Sequence, residues 1–455
     1  MKSSLVFPGG LGGVPNLLSN IRYALRQFSH SPVFTVAAIL TLALGIGGTT
    51  AIFTLMDAIM LRSLPVADPA TLYRVGEGDV CCVVGSPQGK WGMYSYRLYQ
   101  RLEEAGPEFA EVTAFQASPF ARLSVRRQNV ETASRPLRSE YVTGSYFSVF
   151  GIRPFGGRLF APDDDRPGAT PVAVLSYRVW QNSYGGDPSV VGSTYVVEGH
   201  PFTVIGVAPP GFFGETLRGD PPEIWIPLQQ ESLIDREGAL LRNSSSAWLR
   251  MIGRLRPGSS VAGMAPRLTG VLRQWMQHEA DYPPNWMPDL IRSLPQQVIN
   301  VVPAGAGVAE MKEVYANSLR ILMTVCGLVL LICCANVANL LLARSAARRA
   351  QTAVRLAVGA SSRQIVGEAL TESILLAFGG AIAGLLVAVA AARLLLALAF
   401  HSGQFLPIST APSFTVLAFA CALALLTGIL FGTAPPGLPP TPIRLMPCAE
   451  RAVAP

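Results

Sequence analysis

Residues 335–373 read "ANVANLLLARSAARRAQTAVRLAVGASSRQIVGEALTES". The stretch opens on apolar sequence broken only by Asn336 and Asn339. It then meets Arg344, Arg348, Arg349, Arg355 and Arg363 before its first acid, Glu368. Helix formers persist through the arginines, Gly359 supplies a stop, and Ser361 with Gln364 three residues on has the form of a capping box opening the next helix. The reading is two apolar helices joined by a basic elbow over 344–370. Such an elbow belongs at a membrane surface, and that decides the fold class.

Outward from the elbow, half of the 455 residues are apolar and only 14% are charged. Four runs approach the roughly 20 residues that cross a bilayer as helix. They are Val33–Met56, which is uncharged until Asp57; Ile321–Ala343, bounded by Arg320 and Arg344; Ile374–Ala392 within an apolar stretch ending at Phe400; and Phe414–Thr433. The first run is too long for a secretory leader, and no small-residue cleavage site follows it before Asp57, so it reads as an uncleaved anchor. The expected fold is an α-helical membrane protein with four transmembrane helices at about 33–61, 319–343, 371–400 and 413–433. A large α+β extracytoplasmic domain lies between the first two.

Charge sets the orientation. Residues 1–31, the elbow as far as residue 367 and the tail 434–455 carry ten basic residues against one acid, Glu450, which leaves 26 basic and 28 acidic residues elsewhere. By the positive-inside rule both termini and the elbow are cytoplasmic, as an even number of spans also requires. The net charge of +7 is thus a topology signal and points to no nucleic acid. Before the first span, Leu17, Leu18, Ile21, Ala24, Leu25 and Phe28 recur at helical spacing among Arg22 and Arg26, so residues 1–31 hold an amphipathic helix suited to the lipid headgroup layer.

The segment 62–318 turns ordinary in composition. "ATLYRV", "FAEVTAFQ", "PVAVLS", "TYVV", "FTVIGVA" and "WLRMIGRL" read as strands, while "YSYRLYQRLEEAG" and "SVAGMAPRLTGVLRQWMQ" read as helices. Two α+β lobes are expected, at about 66–230 and 245–318. Cys81 and Cys82 face the outer compartment as unpaired thiols or an incidental bridge, and the other five cysteines imply no disulfide framework.

Enzyme chemistry is not legible. The one Gly-Lys pair, Gly89 and Lys90, is followed by Trp91 where a phosphate loop needs a hydroxyl, so G-x-x-x-x-G-K-[ST] does not occur. His30, His200, His278 and His401 are scattered, and neither H-E-x-x-H nor G-x-S-x-G is present. Asp163, Asp164 and Asp165 lie between Pro162 and Pro167 and read as a solvated turn rather than a cation site. No metal or other cofactor is expected on the chain. The informative residues are in the spans: Asn336 and Asn339 share a face of the second, and Gly380 and Gly384 form a small-xxx-small pair in the third. Gly45, Gly47 and Gly48 break the first. These suit close helix packing, either sliding or static within one subunit.

"LGIGGTTAIFTLMDAIMLRSLPVADPATLYRV", "SYFSVFGIRPFGGRLF", "VAVLSYRVWQNSYGGDPSVVG", "FTVIGVAPPGFFG", "IWIPL" and the stretch from Asn336 to Gly380 resemble the permeases of the MacB/FtsX class of ABC transporters. The likeness is nearest to the acidobacterial duplicated permeases and runs from about residue 17 to 433. It implies a MacB-like periplasmic core domain over 62–318 and an FtsX-like permease domain over about 319–433, in a bacterial inner membrane. It also implies a separate ATPase partner, a homodimer or second permease half, and a periplasmic adaptor. The cargo would be a drug, peptide or lipid-linked substrate for efflux. By resemblance Arg355, Leu356, Gly359 and Ala360 form the ATPase contact, while Arg344, Arg348 and Arg349 equally suit lipid phosphate. Two features depart from the pattern: Gln351 and Thr352 stand where Glu-Ile is usual, and residues 434–455 form a proline-rich tail where a second permease half would follow. A membrane-anchored signalling module acting on a partner such as a cell-wall hydrolase, and a truncated half-permease without function, are the rival readings.

Overall fold

The computed structural model describes residues 17–57, 63–76, 92–117, 122–128, 133–218, 220–235, 239–308, 310–347, 354, 357–358, 362–399 and 413–433. The chain forms two compact units, one of residues 1–58, 315–401 and 409–455, the other of 59–314 and 402–408. In chain order the helices are α1 (Leu17–His30), α2 (Pro32–Met56), α3 (Tyr96–Glu104), α4 (Tyr146–Val149), α5 (Tyr177–Tyr184), α6 (Glu231–Ile234), α7 (Met264–His278), α8 (Met287–Ser293), α9 (Glu310–Ala347), α10 (Ser362–Ala399) and α11 (Phe414–Thr433). The strands are β1 (Leu72–Val75), β2 (Phe109–Gln116), β3 (Arg122–Arg127), β4 (Arg135–Val142), β5 (Gly156–Gly157), β6 (Val172–Leu175), β7 (Thr194–Val197), β8 (His200–Val207), β9 (Ile224–Pro227), β10 (Leu249–Leu255) and β11 (Val301–Pro303).

The outer unit is built on one sheet in the order β11-β1-β10-β2-β4-β3-β7-β8-β6-β9, with β5 added to β8. A parallel pairing of β4 with β9 closes β4, β3, β7, β8, β6 and β9 into a ring. Strands β2, β10, β1 and β11 extend from that ring as an open wing. Because β1 pairs with both β10 and β11, segments from either side of the expected division between 66–230 and 245–318 share the wing.

Strand alternation builds two cores. Val112 and Ala114 of β2 with Met251 of β10 face Leu98 and Leu102 of α3 and Leu268, Leu272 and Trp275 of α7. Phe115, Val142 and Ile252, offset by one residue, belong to a second core with Tyr146, Phe147, Phe150, Phe212 and Trp225. Helix α3 starts where Ser95 Oγ accepts from Leu98 N at 3.3 Å, and α5 where Ser176 Oγ accepts from Val179 N at 3.3 Å. The β7–β8 hairpin turns on two residues only, Glu198 (φ 46°) and Gly199 (φ 83°), and His200 and Pro201 already belong to β8.

The segments entering and leaving this unit lie side by side. Leu64 N donates to Gly305 O at 2.8 Å, and Ala304 N donates to Leu72 O at 2.8 Å. Arg254 of β10 staples the entering segment by donating to Ala67 O (2.7 Å), Thr71 Oγ1 (2.6 Å) and Val149 O (2.8 Å). The acidic run is only partly solvated, contrary to expectation: Asp163 is exposed, but Asp164 pairs with Arg158 at 2.6 Å. Asp165 accepts from Gly144 N (3.1 Å) and Gln229 N (2.8 Å), and burial pushes its carboxyl up to about 7.

In the other unit three helices are long and apolar enough to cross a membrane: Pro32–Met56, Ala316–Arg344 and Leu370–Leu394. A fourth crossing was expected over 413–433. A helix of 20 residues forms there, Phe414–Thr433, but among the described residues three helices, not four, meet the test of length and apolar character. Helix α1 packs on α10 and α2, and Ala24 is buried, so part of the face the sequence suggested for the headgroup layer has a protein neighbour.

Candidate functional site

The helix interface is organised by glycine. A Cβ on Gly380 would stand 2.5 Å from Leu42 Cβ, and one on Gly47 would stand 2.7 Å from Gly384 O and 2.9 Å from Val387 Cβ. A Cβ on Gly384 would in turn stand 3.1 Å from Gly47 N and 3.2 Å from Ala43 O. The small-xxx-small pair of α10 is thus seated on α2, where the backbones approach as only small residues allow. Helix α11 joins the same assembly: Phe53 stacks on Phe419 with centroids 4.1 Å apart, and Ser413 Oγ donates to Asp57 Oδ2 at 3.0 Å.

Helix α9 touches α2 along a narrower stripe. Gly45 faces Leu330 and Cys333, Thr49 Oγ1 donates to Gly45 O at 2.8 Å and reaches Cys326 O at 3.4 Å, and Leu42, Ile46, Leu330 and Val337 form a small apolar cluster. Asn336 and Asn339 flank buried Val337 but are themselves exposed. Their amides are not brought against α2, α10 or α11.

At the end of α9 that leads into the elbow, Arg344 sits where four helices meet. Its Nη1 is 2.8 Å from Glu372 Oε1 of α10, with side chains 11% and 18% exposed. Its Nη2 donates to Gln27 O of α1 at 3.3 Å, and its guanidinium lies over Phe34 of α2, 4.4 Å from the ring centroid. The Glu372 contact is ionic and close, without hydrogen-bond alignment. Arg344 is therefore committed to protein partners, which sequence reasoning did not find. The available signal was Glu372 one turn beyond Glu368, an acid at the mouth of an apolar run. Of the elbow, Val354 and Val358 are exposed and Val358 N donates to Val354 O at 3.0 Å. Arg355, Leu356, Gly359, Ala360, Arg348 and Arg349 lie outside the described residues, as do Cys81 and Cys82.

Among the described residues no group of three or more His, Cys, Asp or Glu side chains is arranged to hold a metal ion. The arrangement suits mechanics: a glycine-seated pair, a second long helix held along one stripe, and an ionic knot where helices meet.

Comparison with known proteins gives two family matches, the MacB-like periplasmic core domain over residues 35–271 and the FtsX-like permease C-terminal region over residues 323–435. The pyoverdine export ATP-binding/permease protein PvdT of Pseudomonas syringae pv. tomato is 27% identical over 344 residues, covering 73% of this chain and 46% of the relative. The macrolide export ATP-binding/permease protein MacB of Shigella boydii is 25% identical over 430 residues, covering 90% of this chain and 57% of the relative. The chain spans about half the length of these curated relatives. The periplasmic region of MacB from Actinobacillus actinomycetemcomitans aligns with 55% of this chain and 94% of its own, at a TM-score of 0.34 and 14% identity.

Proposed function

The chain belongs to the family of the MacB-like periplasmic core domain, joined here to an FtsX-like permease region, and from that membership we propose that it is the moving subunit of an ABC exporter. It sits in a bacterial inner membrane with both termini cytoplasmic, crossing four times once α11 is counted with the three longer helices. A separate ATPase binds the elbow at Arg355, Leu356, Gly359 and Ala360. A second copy, or a second permease half, covers the exposed Asn336 and Asn339 face of α9. The outer unit meets a periplasmic adaptor, and the cargo is a drug, peptide or lipid-linked substrate.

The observation that carries this reading is α9 itself. It is one helix of 38 residues, about 57 Å at 1.5 Å per residue, and so longer than a bilayer core of roughly 30 Å. It begins seven residues after β11 and ends at the elbow, so it can act as a rod carrying a push from one to the other.

The test is capture of candidate ATPases by single cysteines at Arg355→Cys and Gly359→Cys, in a chain cleared of its seven native cysteines and expressed in membranes. Crosslinks at both positions, lost when the ATPase is withheld, are the expected result. A correctly inserted chain that captures no ATPase would overturn the coupling role and leave a signalling module or an orphaned half-permease.

A further inference from the structure

Helix α1 carries a row of cations that the protein leaves uncovered. It packs on α10 and α2, and Ala24 is buried with Ile21, Gln27 and Phe28 half-buried around it, which marks the side turned to protein. At 3.6 residues per turn Arg22, Arg26 and Ser29 fall on the opposite side, and all three are exposed. Exposed Leu25 borders that row on one flank and exposed Tyr23 on the other. Among the described residues neither arginine has an acid to pair with, and Glu372, the acid of the nearby knot, is held by Arg344.

The row continues for one more turn. Ser29 Oγ donates to Arg26 O at 2.7 Å, and His30 Nδ1 lies 2.7 Å from the same oxygen. A carbonyl only accepts, so Nδ1 carries the proton and Nε2 of exposed His30 is left for an outside partner. Arg22, Arg26 and His30, each four residues from the next, thus form one line.

The line is fixed at a bilayer surface. Helix α1 ends at His30 and α2, which is long and apolar enough to cross a membrane, begins at Pro32. The corner is tied: Thr35 Oγ1 donates to Phe28 O (3.2 Å) and Ser31 O (3.0 Å), and Thr35 N donates to Ser31 O at 3.1 Å. Much of the apolar face that the sequence offers to lipid is taken by protein, so contact with the bilayer passes to the arginines. A water-soluble acidic partner would match their charge only. A lipid also covers Leu25 and Tyr23, an aliphatic and an amphipathic side chain that suit the interface.

We propose that Arg22, Arg26 and His30 bind the phosphate of an anionic phospholipid, and that the bound lipid steadies the clamp on α9. Two guanidinium groups on successive turns, with Cβ atoms about 6 Å apart, can share one phosphate. Net negative charge is required, because a choline headgroup brings its own cation. The route to α9 is short: Arg344 Nη2 donates to Gln27 O at 3.3 Å and reaches Ser31 Oγ at 3.5 Å, so a lipid that holds α1 holds the helix to which α9 is clamped. The inference rests on α2 crossing a membrane and stands whether or not an ATPase drives the chain.

The test is hydrogen exchange read by mass spectrometry on the full-length chain in nanodiscs of phosphatidylcholine, alone or mixed with phosphatidylglycerol. Phosphatidylglycerol should slow exchange in peptides covering 21–31 by about 25-fold, roughly fivefold for each arginine, and should slow the last turns of α9 to a smaller extent. The double variant Arg22→Gln with Arg26→Gln should lose the slowing while α10 stays as protected as before. Equal exchange in the two lipids, or slowing that survives in the double variant, would overturn the site. Inorganic phosphate added to phosphatidylcholine nanodiscs should have no effect; if it matched phosphatidylglycerol, the site would take a free anion and the lipid would be the wrong ligand. An α9 that ignores the lipid would remove the link to the clamp.

A second measurement needs no variant. Native mass spectrometry of the natural chain released from mixed nanodiscs should find phosphatidylglycerol retained in preference to phosphatidylcholine. Retention without preference would equally overturn the proposal.

Discussion

Helices α9 and α10 are each 38 residues long and equally apolar over their membrane-crossing stretches, yet they are held very differently. Helix α10 lies on α2 through Gly380 and Gly384, whereas α9 is more exposed and meets α2 along a stripe that includes Cys326, Leu330, Cys333 and Val337. Hydropathy cannot distinguish them, because lipid and protein interior are equally apolar. Small residues can, because they set how closely two backbones approach. The contrast assigns α2 and α10 to a fixed frame and α9 to a lighter attachment, clamped by Arg344 at one end.

The sharpest way to break this contrast is to put bulk into each helix. Gly47→Leu should cost about 3 kcal/mol in denaturant unfolding of the reconstituted chain, because its first carbon already overlaps Gly384 O. Gly327→Leu on α9 should leave the midpoint unchanged, since nothing lies within 4 Å of its Cβ position. Equal losses would erase the distinction between frame and lever.

A smaller effect is expected at the clamp. Arg344→Ala should cost about 2 kcal/mol, between the values for exposed and buried pairs, since it strands Glu372 at 18% exposure. The swap Arg344→Glu with Glu372→Arg should recover only part, because the contacts to Gln27 O and Phe34 do not follow the charge. Full recovery would reduce the knot to a simple ion pair.

Smaller again, Asn336→Leu with Asn339→Leu should leave unfolding of the single chain unchanged and weaken self-association by about 1 kcal/mol, measured by dilution in bilayers. Loss of single-chain stability would mean that these amides serve α9 within one copy. The smallest effect lies outside the helices. Asp165 takes up its proton more readily folded than unfolded, so its contribution is complete below the ordinary aspartate range and is lost as pH rises to about 7. Asp165→Asn should flatten the outer unit's melting profile over that window, without altering the helix variants above.

Much of the frame was legible in the sequence. The apolar runs that became α2, α9 and α10 announce themselves by length, and β2 and β10 by "FAEVTAFQ" and "WLRMIGRL". The elements that close the structure were not legible, because their partners are far apart in the chain. Val75 pairs with Val301 and Arg344 with Glu372, and no local period records such meetings. Asn336 and Asn339 show the opposite limit. Their shared face was readable, but nothing in the spacing says whether a neighbour of the same copy occupies it.

The most direct test of frame and lever is a pair of pulsed-EPR distances in bilayers, from exposed Leu40 on α2 to exposed Ile382 on α10 and from Leu40 to exposed Leu331 on α9. Both would be measured with and without the ATPase proposed to bind the elbow, held in its ATP state. The first distance should stay fixed while the second shifts. A frame distance that moves as far as the lever distance would contradict the account.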